Sequence, residues 1–325
     1  MIKYIIRRMI YMIPILLGVN VITFILFFMV NTPDDMARMQ LGNKNVTPAA
    51  IERWKASKGY DKPLFFDSSK QFPENISESL FYNQTKKLVR FDFGLSDGGR
   101  DINYDITTRM YPSLAIAIPS LILGLLANIS FALIIVFFKD SYIERWGTII
   151  CILLMSISGL FYIIAGQYLF GKLWKLVPIS GYLPGINAVY FVALPVMIAI
   201  ISGIGSGVRW YRSLLLEEYF KPYAITARAK GLSDLQVLKR HLLPNAMIPI
   251  VTSIVAILPL LFMGSLLTES FFGIPGLGSY TIDAISQQDF AIIRVMVFIG
   301  TLLYMLGLMM TDIVYTWVDP RIRLS

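Results

Sequence analysis

Six apolar runs, at 9–30, 114–138, 147–170, 189–208, 248–272 and 290–317, punctuate the chain. Each is near the roughly 20 residues that carry a helix across a bilayer. The pattern predicts an all-α membrane protein of six transmembrane helices. Lys3, Arg7 and Arg8 precede the first run, as in a secretory signal. Its apolar core exceeds the signal's usual length of about 7–15 residues, and Asn31-Thr32-Pro33 offers no small-residue cleavage site. Residues 1–30 are therefore expected to stay as a membrane helix. Residues 31–113 form the longest polar stretch and predict an extracytoplasmic loop domain, with Leu64-Phe65-Phe66 and Phe81-Tyr82 as apolar material for a small core. A solvated cap on the outer mouth and a contact surface for a substrate-delivery protein fit that stretch equally. Residues 114–325 then make a five-helix core.

Composition and charge sharpen this picture. The chain of 325 residues is 56% hydrophobic and 15% charged, against about 25% charged in soluble domains, and its mean hydropathy is +0.63. A net charge of +8 does not indicate nucleic acid, because the basic residues flank apolar spans instead of striping a soluble face. Lys139 and Arg145, then the run from Arg209 through Arg240, then Arg321 and Arg323, all fall on the side of the basic N-terminus if every span crosses once. Lys172 and Lys175 dissent mildly. Both termini of a multi-pass chain are expected in the cytoplasm. The single cysteine, Cys151, lies in an apolar run and has no partner for an internal disulfide.

The segment 217–249 is polar and ordered between two spans. Leu216, Tyr219, Phe220, Tyr223 and Ala227 recur at three- and four-residue spacing, which predicts an amphipathic helix with Glu217, Glu218, Lys221 and Arg228 largely elsewhere. Pro222 suits the first turn of that helix. Gly231 suits its left-handed end. Ser233-Asp234-Leu235-Gln236 has the form of a capping box, so a second helix is expected there with Leu235, Leu238, Leu242 and Leu243 on one side. Pro244 marks passage into the next span. Helix, glycine turn and helix give a compact knob.

In this knob, Ala227-Arg228-Ala229-Lys230-Gly231-Leu232-Ser233, followed by His241-Leu242-Leu243-Pro244, resembles the cytoplasmic EAA loop of ABC importer permeases of the dipeptide, oligopeptide and nickel family. The continuation 241–249, the run Thr268 to Gly278 with its Pro-Gly-Leu-Gly, and the tail 312–323 are similar to further blocks of that family. Tyr60 to Leu64 and Phe93 to Ser96 are similar to landmarks of its B-type subunit. Ile225 stands where the naming glutamate would be, and Glu217 and Glu218 lie too far upstream to replace it. The stretch 66–91 is longer than in a typical member. The resemblance implies the type I importer permease fold, a coupling loop at 213–247, and a second, C-type permease subunit as partner. It also implies two ATPase subunits that bind ATP and Mg2+, a solute-binding protein outside, and no catalysis by this chain. Tyr223, Thr226, Ala227, Arg228, Ala229, Lys230, Gly231, Leu232, Ser233, His241 and Pro244 are the implied ATPase-coupling residues. Arg228 is expected to pair with ATPase carboxylates, and Ala227 to permit close approach. Peptide is the expected cargo, with nickel or another small solute as the alternative.

Other chemistry is sparse. Gly166 to Lys172 matches most of a nucleotide-binding loop, but Leu173 replaces the hydroxyl residue and an apolar helix replaces the strand. One His and one Cys make a poor catalytic or metal set. An ion-coupled carrier or channel remains the reading from another class, although such carriers hold acids near the midplane. Here Glu269 and Arg294 lie near outer span ends, where they are expected to pair or face the outer vestibule. Asp312, near an inner end, reads as structural, and the Gly203 to Gly207 run reads as helix packing.

Overall fold

The structure, a computed structural model, describes residues 2–30, 32–42, 47–66 and 74–318. Arg321, Arg323 and the end of the C-terminal block lie outside the described residues. The chain divides into two compact units. One comprises residues 2–108 and 281–305, and the other residues 109–280 with the chain from 306 onward.

The first unit gives the long polar stretch a fold. It holds α1 (Ile2–Val30), α2 (Pro33–Leu41), α3 (Pro48–Lys58), α4 (Glu74–Ser77) and α5 (Leu80–Val89). Thr32 and Asp35 cap the start of α2 reciprocally, with Pro33 in the first turn. Aromatic rings supply the core: Phe24 of α1 meets Phe81 at 5.3 Å, and Phe28 meets Tyr60 edge-on at 5.6 Å. Asn20 on α1 donates to Thr85 on α5 at 2.6 Å. A carboxylate clasp closes the unit. Asp289 accepts the N–H groups of Asp97 (3.0 Å) and Ile292 (3.2 Å), while Asp97 accepts that of Phe290 (3.0 Å). Burial, then the neighbouring Asp289, push the Asp97 carboxyl above the usual carboxylate range.

The chain continues through α6 (Ile102–Phe137), α7 (Tyr142–Ser156), α8 (Gly159–Gly166), α9 (Ala188–Tyr219), α10 (Pro222–Ala229), α11 (Asp234–Val237), α12 (Leu243–Ile257), α13 (Leu266–Phe272), α14 (Leu277–Gln287) and α15 (Phe290–Val318). Among the described residues, five stretches are long and apolar enough to cross a membrane, and a sixth is a bent pair. The 36-residue α6 begins at Ile102, twelve residues before the apolar run at 114. Asp101 accepts the Tyr104 N–H near its start.

Two predicted spans take a different form. The third is broken: α7 meets the helical stretch from Gly159 to Leu173 at 88°. Ile157 and Ser158 are extended between them, and the Leu154 carbonyl accepts both the Ile157 N–H and the Tyr162 hydroxyl. The fifth begins earlier and ends earlier than expected, running from Asp234 to Met263. Gly264, at φ +70°, stops it, and Ser265 caps α13. Within the second unit Gly205 lets α9 lie against α7, since a Cβ there would sit 2.5 Å from the Cys151 carbonyl oxygen. Gly166 and Gly171 of the nucleotide-loop look-alike are packing positions too, pressed on Ile198 and Ile179.

Candidate functional site

The knob lies wholly within the second unit, and local backbone rules build it. α9 stops at Tyr219, Lys221 takes extended backbone, and Pro222 opens α10. Gly231, at φ +85°, ends that helix, with its N–H on the Arg228 carbonyl at 2.9 Å. Ser233 and Gln236 then complete a capping box at the start of α11. From α11 the helix does not stop. It passes through a π-turn over Leu238–Leu242 and runs on as α12. Pro244 lacks an N–H and its ring crowds the carbonyl four residues back, so a wider turn just before it relieves both problems.

Packing fixes the knob to the bundle. Ala224, Ala227, Val237, Leu238 and Leu242 share one core with Ala132, Val208, Leu215, Ala246 and Ile250. Two polar nodes add to this. Glu218 is 8% exposed and accepts from Lys221 Nζ at 2.6 Å and from the Tyr223 hydroxyl. Burial, followed by the Glu218 hydrogen bond, pushes the Tyr223 hydroxyl up to about 12, and the same carboxylate raises Lys221. The Arg228 guanidinium stacks on the Tyr219 ring at 3.9 Å, and its Nε donates to Asp234 at 3.2 Å. Arg228 thus ties α9, α10 and α11 together.

The expected coupling residues sort into two sets. Thr226, Ala229, Lys230, Gly231, Ser233 and Pro244 are exposed, together with Ile225 at 58%. Tyr223, Leu232 and His241 are half-buried, the Tyr223 and His241 rings lying 6.4 Å apart. Two expectations change. Ala227 is 5% exposed and faces the core, so it sets the spacing of the knob and does not offer a contact. Arg228 is already engaged within the chain. The expected apolar face shifts as well: Glu218 turns inward and Phe220 outward, and Val237 replaces Leu235 on the buried side. Glu218 was missed as a site residue, and its spacing to Lys221 and Tyr223 across a proline turn was the available signal.

A second cluster surrounds Glu269. It is 1% exposed and accepts the N–H groups of Ser265 (3.0 Å), Gly278 (2.7 Å) and Ser279 (3.1 Å). Ser113 accepts that of Leu277 at 2.8 Å. A Cβ on Gly276 would fall 2.2 Å from the Glu269 carboxylate, so the glycines of this loop make room for the acid. Arg294 belongs to the first unit, beside Tyr60 and Asp97. Each member of the expected pair is therefore set by residues of its own unit. Asp312 is half-buried on α15.

Comparison with known proteins bears directly on the knob. The family model for "Binding-protein-dependent transport system inner membrane component" matches residues 129–324, which include it. The model for the N-terminal part of such membrane components matches residues 1–112. A putative peptide transport system permease protein of Brucella abortus is 27% identical, covering 98% of both chains. A putative peptide permease protein of Brucella suis is 26% identical over the whole of both. A glutathione transport system permease protein of Shigella flexneri is 27% identical over 99% of both. With the first model matched over more than half of its length, the chain belongs to the family of binding-protein-dependent transport system inner membrane components, and it is a permease subunit of ABC transport, not an enzyme.

Proposed function

We propose that this chain is the B-type permease subunit of an ATP-driven importer for a peptide-like substrate, and that segment 217–245 transmits the work of separate ATPase chains. A second permease of the C type completes the pathway, and two ATPases carrying ATP and Mg2+ sit beneath the pair. Both termini are cytoplasmic in this reading, and the segment 31–113 faces the binding protein outside. The peptide cargo is supported by the names of the relatives, which concern peptides and glutathione. Nickel is less favoured for the same reason.

The observation that carries the coupling reading is the exposed ridge of Ile225, Thr226, Ala229 and Lys230. It stands on a helix whose other face is locked into the bundle core. Small side chains flanked by one apolar and one cationic residue suit a groove in a soluble partner. Closure of an ATPase pair around such ridges would displace α10, and the continuous helix from α11 into α12 would carry the movement into the membrane. Cysteine substitution tests this. Ala229→Cys is expected to cross-link to the ATPase in the assembled complex, and buried Ala227→Cys is not. Equal cross-linking of both, or of neither, refutes the contact. Uptake of labelled dipeptide that requires ATP and the binding protein separates an importer from an ion-driven carrier, which would work as this chain alone in vesicles.

A further inference from the structure

The first unit holds an open-mouthed cavity of about 600 Å³ lined by α3, α5, the loop from Asp92 to Asp97 and the start of α15. Its size lies within the roughly 300–1,000 Å³ usual for small-molecule sites. We infer that it binds a small zwitterion, of the size of a short peptide, that presents a carboxylate to Arg294 and an amine to the acidic side of the cavity.

Arg294 carries this inference. It lines the cavity half-buried, and its Nε has no hydrogen-bond partner among the described residues. Buried polar groups are normally satisfied, and those that are not call for a ligand, ion or water. The nearby carboxylate, Asp97, is engaged by the Phe290 N–H at 3.0 Å, and Lys58, a second cation on the lining, is spent on the carbonyls of Ser96 (2.8 Å) and Asp97 (3.1 Å). A guanidinium in this position offers a planar fork that matches a carboxylate.

The charge around the cavity narrows the class. Lys62 and Lys87 stand exposed on its lining and draw anions inward. Asp92 and Asp97 lie on the same lining, which disfavours a bare dianion such as phosphate and suits a molecule with both signs. The choice of a peptide as probe rests on the proposed cargo. Direct binding requires neither ATPase nor uptake, so failure here leaves the coupling reading standing, and failure of coupling leaves this site testable.

The purified full-length chain in lipid nanodiscs would be titrated calorimetrically with tri-alanine, tri-alanine amide, N-acetyl-tri-alanine and inorganic phosphate. Tri-alanine is expected to bind at least about tenfold more tightly than the amide, equivalent to roughly 1.4 kcal/mol, and several-fold more tightly than the N-acetyl form or phosphate. Arg294→Gln is expected to erase the preference for acid over amide. The inference is overturned if tri-alanine does not bind, if acid and amide bind alike, if phosphate binds as tightly, or if Arg294→Gln keeps the acid preference. The ligand comparison on the unaltered chain decides the matter even where a variant fails to fold.

Discussion

Replacing Gly231 separates the backbone of the knob from its surface. Its φ is +85°, its N–H is bonded to the Arg228 carbonyl, and a Cβ there would meet no atom within 4 Å. Alanine therefore adds no clash inside the chain, and its cost is the left-handed backbone alone, about 1–2 kcal/mol. That corresponds to a five- to thirtyfold loss in the population of the native turn. Asparagine visits the left-handed region more readily and should cost less in spite of its greater bulk. Proline fixes φ near −65° and removes the N–H, so the turn must be rebuilt at about 3 kcal/mol or more. In proteoliposomes with the partner subunits, uptake per ATP hydrolysed should fall in the order Gly, Asn, Ala, Pro, while membrane insertion stays constant. An order that follows side-chain volume, with Ala ahead of Asn, would refute the turn argument and make Gly231 a matter of contact space. Equal coupling in all four would remove the turn from the mechanism.

Two further predictions concern the carboxylates outside the knob. Because the Asp97 carboxyl is held above its usual range, the folded chain keeps a proton that the unfolded chain has released, so this contribution is present at acid pH and is lost as pH rises through the raised value. The melting temperature of the wild type relative to Asp97→Asn, followed by tryptophan fluorescence across roughly pH 4–8, should decline with pH; a rising difference would contradict the clasp. Glu269→Ala strands three backbone N–H groups in a buried site and should destabilise the second unit by about 3–5 kcal/mol, with faster proteolysis of the loop 273–279. An unchanged melting curve and cleavage rate would show that water replaces the carboxylate without cost.

What the sequence revealed of the knob depended on the range of each rule. Pro222, Gly231 and the Ser233–Gln236 box act within four residues, and each appears in the structure where local stereochemistry puts it. The apolar face was harder to read because helical periodicity stops counting when the chain leaves the helix. The break at Phe220 and Lys221 separates Tyr219 from Tyr223, which turns Phe220 outward and Glu218 inward. The π-turn likewise advances the register between Val237 and Leu243, beyond what a 3.6-residue period can follow. The break at Ile157 was hidden by uniform hydrophobicity on both sides of it. Glu269 read as a charge that pairs with Arg294 or faces the outer vestibule. Its partners are backbone groups four, nine and ten residues away, and no charge pattern can disclose them.

The π-turn at Leu238–Leu242 also fixes a phase. One extra residue is wound into an otherwise continuous helix, so deleting a single residue there, which would restore ordinary α winding, turns everything before it by about 100° relative to α12. Such a shortened chain could keep every helix and still present Gly231 and Ser233 to the wrong quarter of the compass. The phase between what the cytoplasmic end displays and what the membrane end packs is therefore stored in five residues of unusual winding.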